Sequence, residues 1–190
     1  MKCRVLSFFL IATLIFLGAC QKKEPEKKEA GKKVSAGYVI KFKPNDSLEL
    51  VPAKTFILQP GPVEGANKFC IDVVAKGIDP LSALSFDLNF DPAVASYQEY
   101  RPGFLLEQKG KPLYKVGPKG EQKGKLEVKV SYESGEGASG TGKVVTLCFK
   151  ALEPGRSNFL FENGELLGSQ KKKMPDTEWV GGLLWILETR

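Results

Sequence analysis

The stretch Lys68-Phe69-Cys70-Ile71-Asp72-Val73-Val74-Ala75-Lys76 decides the fold, because its odd-numbered residues are all apolar. Such a period of two predicts a β-strand with one face in a hydrophobic core. The stretch Val145-Thr146-Leu147-Cys148-Phe149-Lys150-Ala151 repeats the pattern. Its apolar residues again share one side, with Cys148 on the other. Both strands are therefore predicted to carry a cysteine on the face turned away from the core.

Short alternating blocks separated by Gly, Pro, Asn and Asp continue on both sides of these two stretches. No ten-residue stretch shows a helical stripe. Eight to eleven strands at this spacing predict an all-β fold, a two-sheet β-sandwich or jelly roll, over residues 38–190. The predicted strands are Tyr38–Phe42, Ser47–Val51, Thr55–Leu58, Lys68–Lys76, Ala83–Phe90, Val94–Tyr100, Phe104–Gln108, Lys125–Tyr132, Lys143–Ala151, Ser157–Glu162 and Gly182–Glu188.

The residues ahead of this domain have the layout of an export signal. Lys2 and Arg4 precede a short apolar run, which is below the roughly 20 residues needed to cross a bilayer and ends at Leu17-Gly18-Ala19-Cys20. These four residues resemble the lipobox of bacterial prolipoproteins. The resemblance implies a signal peptide over residues 1–19, cleavage before Cys20, lipidation of the Cys20 thiol and anchoring in the cell envelope. An ordinary signal peptide, with Cys20 as a spare thiol, is the alternative.

Gln21 follows the cysteine, whereas the inner-membrane retention signal of some bacteria is an Asp at that place, so the outer membrane is favoured. Residues 20–37 are rich in Lys and Glu and nearly devoid of apolar side chains. They are predicted to form a disordered tether. The chain carries a net charge of +6, but only 20 basic and 19 acidic residues remain in 34–190. A nearly neutral domain of this kind argues against nucleic-acid binding.

Cys70 and Cys148 are the two cysteines left once Cys3 departs with the signal and Cys20 is claimed by lipid. In an export compartment they are reasonable disulfide partners if their strands are neighbours. Two free thiols are the alternative.

The residue types and motifs of the chain give little support for an enzyme. The chain contains no histidine, which removes the usual general base and the commonest transition-metal ligand. It shows no phosphate-binding or dinucleotide-binding glycine pattern and no zinc spacing. We therefore expect no enzyme activity, no catalytic residues, no bound metal and no cofactor.

From Ser47 onward, seven blocks follow one another in a distinctive order: Phe69–Val73, Phe86–Pro92, Gly103–Leu105, the glycine-rich loop Gly135–Gly142, Val145–Ala151, Ser157–Asn163 and Gly182–Trp185. This order of blocks resembles that of a cohesin domain. The resemblance implies a jelly roll in which one outer sheet face binds a dockerin, a small calcium-loaded helical module on another exported protein. Calcium would then enter only through the partner.

Carried over by position, the partner-binding face comprises the outward residues of two strands: Ser85, Asp87, Asn89, Glu127, Lys129 and Ser131. Polar residues are also what any half-exposed strand carries on its wet face. Two further functions stay open. A polysaccharide-binding module would stack sugars on exposed aromatic rings, and the candidates are Tyr97, Tyr100, Tyr114, Trp179 and Trp185. A structural accessory lipoprotein of an envelope complex would use the sandwich as a rigid spacer.

Overall fold

The chain forms strands over most of the residues that the structure, a computed structural model, describes: 37–47, 49–50, 54–133 and 137–189. The predicted signal peptide, Cys20 and nearly all of the predicted tether lie outside these residues. The elements, in chain order, are β1 (Tyr38–Pro44), β2 (Thr55–Glu64), β3 (Lys68–Asn89), β4 (Ala95–Pro102), α1 (Phe104–Glu107), β5 (Leu113–Pro118), β6 (Lys125–Ser131), β7 (Ala138–Ala151), β8 (Gly155–Gly168), a 3-10 turn (Ser169–Lys171), β9 (Glu178–Val180) and β10 (Gly182–Glu188).

Strand β3 belongs to two layers. Its first half pairs with β2 and β7, and its second half pairs with β6 and β8. Between the halves the register shifts repeatedly, around Gly77 at a φ of 57° and Pro80, which has no N–H for the ladder. The first layer runs β9–β2–β3–β7–β4, and the second runs β5–β6–β3–β8–β10–β1.

Aromatic side chains from both layers meet in the core. Phe149 of the first layer contacts Phe159 of the second edge to face, with ring centroids 5.2 Å apart, and Phe90 packs against both. At the other end of the core, Trp179 of β9 stacks on Phe56. The prediction of an all-β, two-layer sandwich of jelly-roll type is thereby confirmed.

Three of the strand predictions were wrong. The blocks at Lys68–Lys76 and Ala83–Phe90 are one bent strand, because pairing partners continue across the bend. Ser47–Val51 was predicted as a strand, but none of its described positions is in one, and Leu50 is 77% exposed. Phe104–Gln108 was also predicted as a strand but contains the helical turn α1, which buries two consecutive leucines, as strand alternation cannot.

Two strands, β5 and β9, were not predicted. The glycine-rich stretch 135–142, predicted as a loop, enters strand β7 at Ala138, and residues 134–136 lie outside the described part. A turn follows β3 at Asp91-Pro92, where the Asp91 carboxylate accepts a hydrogen bond from the backbone N–H of Ala93 at 2.9 Å. In the described residues, no helix has the length and apolar character to cross a membrane.

Candidate partner-binding face

The outer face of the second layer, over β5, β6, β3 and β8, is the candidate partner-binding face. In the register of β3 and β6, Ser85 lies opposite Lys129 and Asp87 opposite Glu127. Every second residue of these strands points inward, so the alternate ones share the outer face. The structure therefore brings together on this face the six residues predicted from the sequence: Ser85, Asp87, Asn89, Glu127, Lys129 and Ser131.

Asp87 lies on this face but is only 2% exposed. Its carboxylate accepts hydrogen bonds from Lys119 Nζ at 2.7 Å and from Asn163 Nδ2 at 2.6 Å, and Lys125 Nζ is 3.5 Å away. Burial acts to raise the pKa of Asp87, but these hydrogen bonds outweigh it and hold the pKa below its ordinary value. Asp87 was predicted to belong to the partner-binding face, and that role stays a prediction. Within the domain, its oxygens hold together the loop before β6 and the bulge of β8.

The neighbouring charges are paired within the face. Lys125 Nζ lies 2.7 Å from Glu162, and hydrogen bonds from Lys125 and Asn89 lower the pKa of Glu162. Lys129 Nζ lies 2.8 Å from Glu127 and lowers the pKa of that carboxyl in the same way. The face thus presents alternating charges of both signs, fixed in place by one another. Such a pattern suits a partner with complementary charges rather than a uniformly charged polymer.

A shallow depression of about 240 Å³ opens on the face where β3, β6 and β8 adjoin, at the end of β6. Ala83, Ser85 and Ser131 supply its small side chains, and Lys129 and Leu167 stand at its margin. Because small residues from two adjacent strands meet here, the surface has room for one side chain of a partner.

Strands β5 and β8 also contribute residues to this face. The segment 109–123 contains β5, which places Leu113, 56% exposed, and Lys115 beside β6. The alternation of Leu113, Tyr114, Lys115 and Val116 was the signal that could have found this strand. Strand β8 adds the half-exposed Leu160.

The five aromatic residues considered for sugar stacking are scattered. Tyr97, Tyr100, Tyr114 and Trp179 all pack against the core. Burial raises the pKa of Tyr97 and of Tyr114 to about 12, as expected for rings held in an apolar environment. Trp185 lies apart from them, on the outer side of β10. The aligned row of exposed rings that a sugar-binding face needs is not formed by these residues.

The two candidate disulfide partners lie side by side in the first layer. Cys70 and Cys148 lie opposite each other in the register of β3 and β7, and their sulfurs are bonded. They face away from the main core, as expected, but both are buried.

Beside the disulfide, an exposed cluster of four charged side chains joins β2, β3 and β4. Arg101 donates to both carboxylate oxygens of Glu64, at 2.6 and 3.1 Å, and to Glu99 at 2.9 Å. Lys68 contacts the same two carboxylates. Hydrogen bonds from Arg101 and Lys68 lower the pKa of Glu64 to about 2. In the described residues, no group of three or more acidic or cysteine side chains is placed to hold a metal ion.

Comparisons with known proteins agree with this architecture. A family model described as "Cohesin domain" matches residues 67–174. No curated protein sequence gives a significant match.

Several solved structures share the fold. A type II cohesin domain from the cellulosome of Acetivibrio cellulolyticus superposes with a TM-score of 0.58 at 16% identity, covering 70% of this chain and 94% of that one. A type I cohesin–dockerin complex from Clostridium thermocellum gives 0.53 at 18% identity, covering 67% and 96%. A non-cellulosomal cohesin from the archaeon Archaeoglobus fulgidus gives 0.51 at 14% identity, covering 60% and 78%.

Proposed function

Because this chain belongs to the cohesin domain family, we propose that it is a non-catalytic adaptor that captures a dockerin-type module of another exported protein. Capture takes place on the outer face of β5, β6, β3 and β8. The domain is held at the surface of a bacterial membrane, the outer membrane in the simplest case, by acyl chains on Cys20.

The observation that carries this proposal is the form of the face. It is a sheet surface with paired charges of both signs, a small depression and exposed leucines at its sides. This combination of a few apolar anchors with a polar surround is typical of protein-binding surfaces. Several of the structurally similar cohesins were solved in complexes with dockerins, which supports a partner of the same class.

The alternative of a polysaccharide-binding module has weaker support. Sugar recognition on a sheet relies on exposed rings whose faces are free to stack. Four of the five candidate rings pack against the core instead. The role of a rigid spacer in an envelope complex would not require the depression around Ser85 and Ser131.

Membrane anchoring is proposed from the sequence. One acyl chain holds a protein to a bilayer reversibly and two or more hold it stably, so a diacylated Cys20 would suffice. Mass spectrometry of the protein purified from its own membrane tests this directly. We expect an N-terminal peptide that begins at Cys20 and carries acyl mass, and a Cys20→Ser variant released into the soluble fraction. A native protein without lipid mass would contradict the anchor and leave partner capture untouched.

Partner capture is tested with immobilised residues 34–190 and the exported proteins of the producing organism, with calcium and with a chelator. We expect calcium-dependent retention of a protein whose sequence contains a dockerin module. That protein is then titrated calorimetrically against the domain. Calcium-independent retention on a polysaccharide resin, without any such protein, would favour the sugar-binding alternative.

Two variants locate the binding face. Ser131→Trp fills the depression, and Lys129→Glu reverses a charge next to Glu127; each should weaken binding at least tenfold. Lys150→Glu is the matched control, because Lys150 is an exposed strand lysine on the opposite layer. Equal affinity of all three variants would refute the assignment of the face, while leaving the adaptor function to be placed on another surface.

A further inference from the structure

The outer face of the second layer differs in character over its remaining strands, β1, β10 and the first half of β8. The outward residues of β1 are Val39, Lys41 and Lys43, all exposed, while the residues between them pack against the core. The register places Lys41 opposite Trp185 of β10, and Trp185 opposite Arg156 of β8. We call this surface the basic apolar patch: Val39, Lys41, Lys43, Arg156, Trp185 and Leu187.

The patch combines positive charge with exposed apolar side chains. Val39 is 39% and Leu187 is 48% exposed, and Trp185 is half-buried. No outward position of β1, of β10 or of the first half of β8 carries an acidic residue. Within the described part of the chain, none of the three cationic side chains of the patch is in an ion pair. The lysines of the partner-binding face, by contrast, are paired.

We propose that the basic apolar patch binds the surface of an anionic lipid bilayer. Three unpaired cations attract anionic head groups, and a tryptophan flanked by aliphatic residues suits the boundary between head groups and acyl chains. An anionic polysaccharide would use the cations but gain nothing from Val39 and Leu187. A second copy of the chain would bring three cations against three cations, so charge opposes self-association.

The position of the patch in the chain favours the same occupant. Strand β1 follows directly after residues 21–37, which separate it from Cys20. If these residues form the disordered tether that their composition predicts, their average reach is about 23 Å. If Cys20 is lipidated, as proposed above, the tether presents the patch to the bilayer at an effective concentration in the millimolar range. A weak intrinsic affinity is then sufficient to hold this side of the domain on the membrane.

Membrane contact through the patch leaves the partner-binding face accessible. Adjacent strands in a sheet rotate by roughly 20–25° relative to each other. Three such steps separate β10 from β6, so the two surfaces point in directions that differ by about 60–75°. A flat bilayer on the patch therefore does not cover the depression at Ser131.

The test uses residues 34–190, which contain the whole described core but neither Cys20 nor the lysines of the tether. Flotation is measured with vesicles of phosphatidylcholine alone and with an equal share of phosphatidylglycerol, at low and high salt. We expect binding only to the anionic vesicles, weakening with salt. Lys41→Gln and Arg156→Gln should each lower the partition coefficient about fivefold. Lys150→Gln, on the opposite layer, is the matched control and should leave it unchanged.

A second measurement reports on Trp185 itself. In a Trp179→Phe variant, Trp185 is the only tryptophan of the chain. Its fluorescence should shift to the blue and be quenched by bromine-labelled lipids when anionic vesicles are added. Equal binding to neutral and anionic vesicles would overturn the proposal. So would loss of binding in Lys150→Gln equal to that in Lys41→Gln, or an unquenched Trp185 in a protein that sediments as a dimer. Since Cys20 is absent from this experiment, its failure is separate from failure of the lipid anchor or of partner capture.

Discussion

Removal of the bond between Cys70 and Cys148 should lower the stability of the domain by several kcal/mol. The two cysteines are 78 residues apart in the chain, so the bond closes a large loop in the unfolded state. The chain-entropy relation gives about 4.5 kcal/mol at 25 °C for a loop of this size. Because the two side chains are small and buried, replacement of both by alanine leaves little cavity, and loop entropy should dominate the loss.

The double variant C70A/C148A is compared with the wild-type domain, produced in an oxidising compartment, by urea unfolding. We expect a lower midpoint and a larger slope m, since the uncrosslinked unfolded chain exposes more surface. At about 2–4 °C per kcal/mol for a domain of this size, the melting temperature should fall by about 9–18 °C. Reductant should destabilise the wild type and leave the stability of the double variant unchanged. The double variant thus controls for effects of the reductant other than cleavage of the disulfide.

Two outcomes would refute this reasoning. Titration of two free thiols in the denatured, unreduced protein would show that the bond does not form. An unchanged urea midpoint in the double variant, with the bond shown to be present in the wild type, would show that the loop constraint is already supplied in the unfolded state by residual structure.

Three further predictions concern single positions. Asp87→Ala should cost about 1–3 kcal/mol at neutral pH, since it leaves the Lys119 ammonium and the Asn163 amide without their acceptor. Folding lowers the pKa of Asp87, so its stabilising contribution is present above the ordinary pKa of 3.8 and is lost as the pH falls through the folded-state pKa. Urea unfolding at neutral and at acidic pH should therefore show a smaller stability difference between wild type and Asp87→Ala at the acidic pH. NMR titration of the Glu64 carboxyl carbon should give a pKa of about 2, and Arg101→Gln should return it toward 4.5; a wild-type value near 4.5 would contradict the ion-pair geometry. Gly103→Ala should prevent stable folding, because the added Cβ would overlap the Lys143 carbonyl, whereas Gly117→Ala, which meets no atom within 4 Å, should not; thermal melts of both variants check this.

Local alternation was enough to predict the fold class and the faces of most strands. In Lys68–Lys76 and Val145–Ala151 the period of two follows from backbone geometry alone, because successive side chains of any strand point to opposite sides. The same parity correctly assigned Ser85 and Lys129 to one outer face. The resemblance to cohesins could be seen in the order of such blocks, and the family match bears it out.

Burial and chain direction at particular residues depended on segments far away in the chain. Asp87 reads in sequence like its exposed neighbours, but Lys119 and Asn163, 32 and 76 residues further on, close over its carboxylate. Leu105 and Leu106 lie in a helical turn, which allows two consecutive side chains to be buried in the core. A strand would point one of them outward.

The basic apolar patch likewise exists only in the folded chain. Lys41, Trp185 and Arg156 come from three separate blocks that are unremarkable one by one, and the order β8–β10–β1 places them side by side. Alternation of residues is a property of one strand, whereas a surface is a property of strand order, which long-range pairing decides. For this protein, the residue pattern settled which side of most strands faces the main core, and the tertiary structure settled which strands share an outer surface and which residues of that surface are exposed to water.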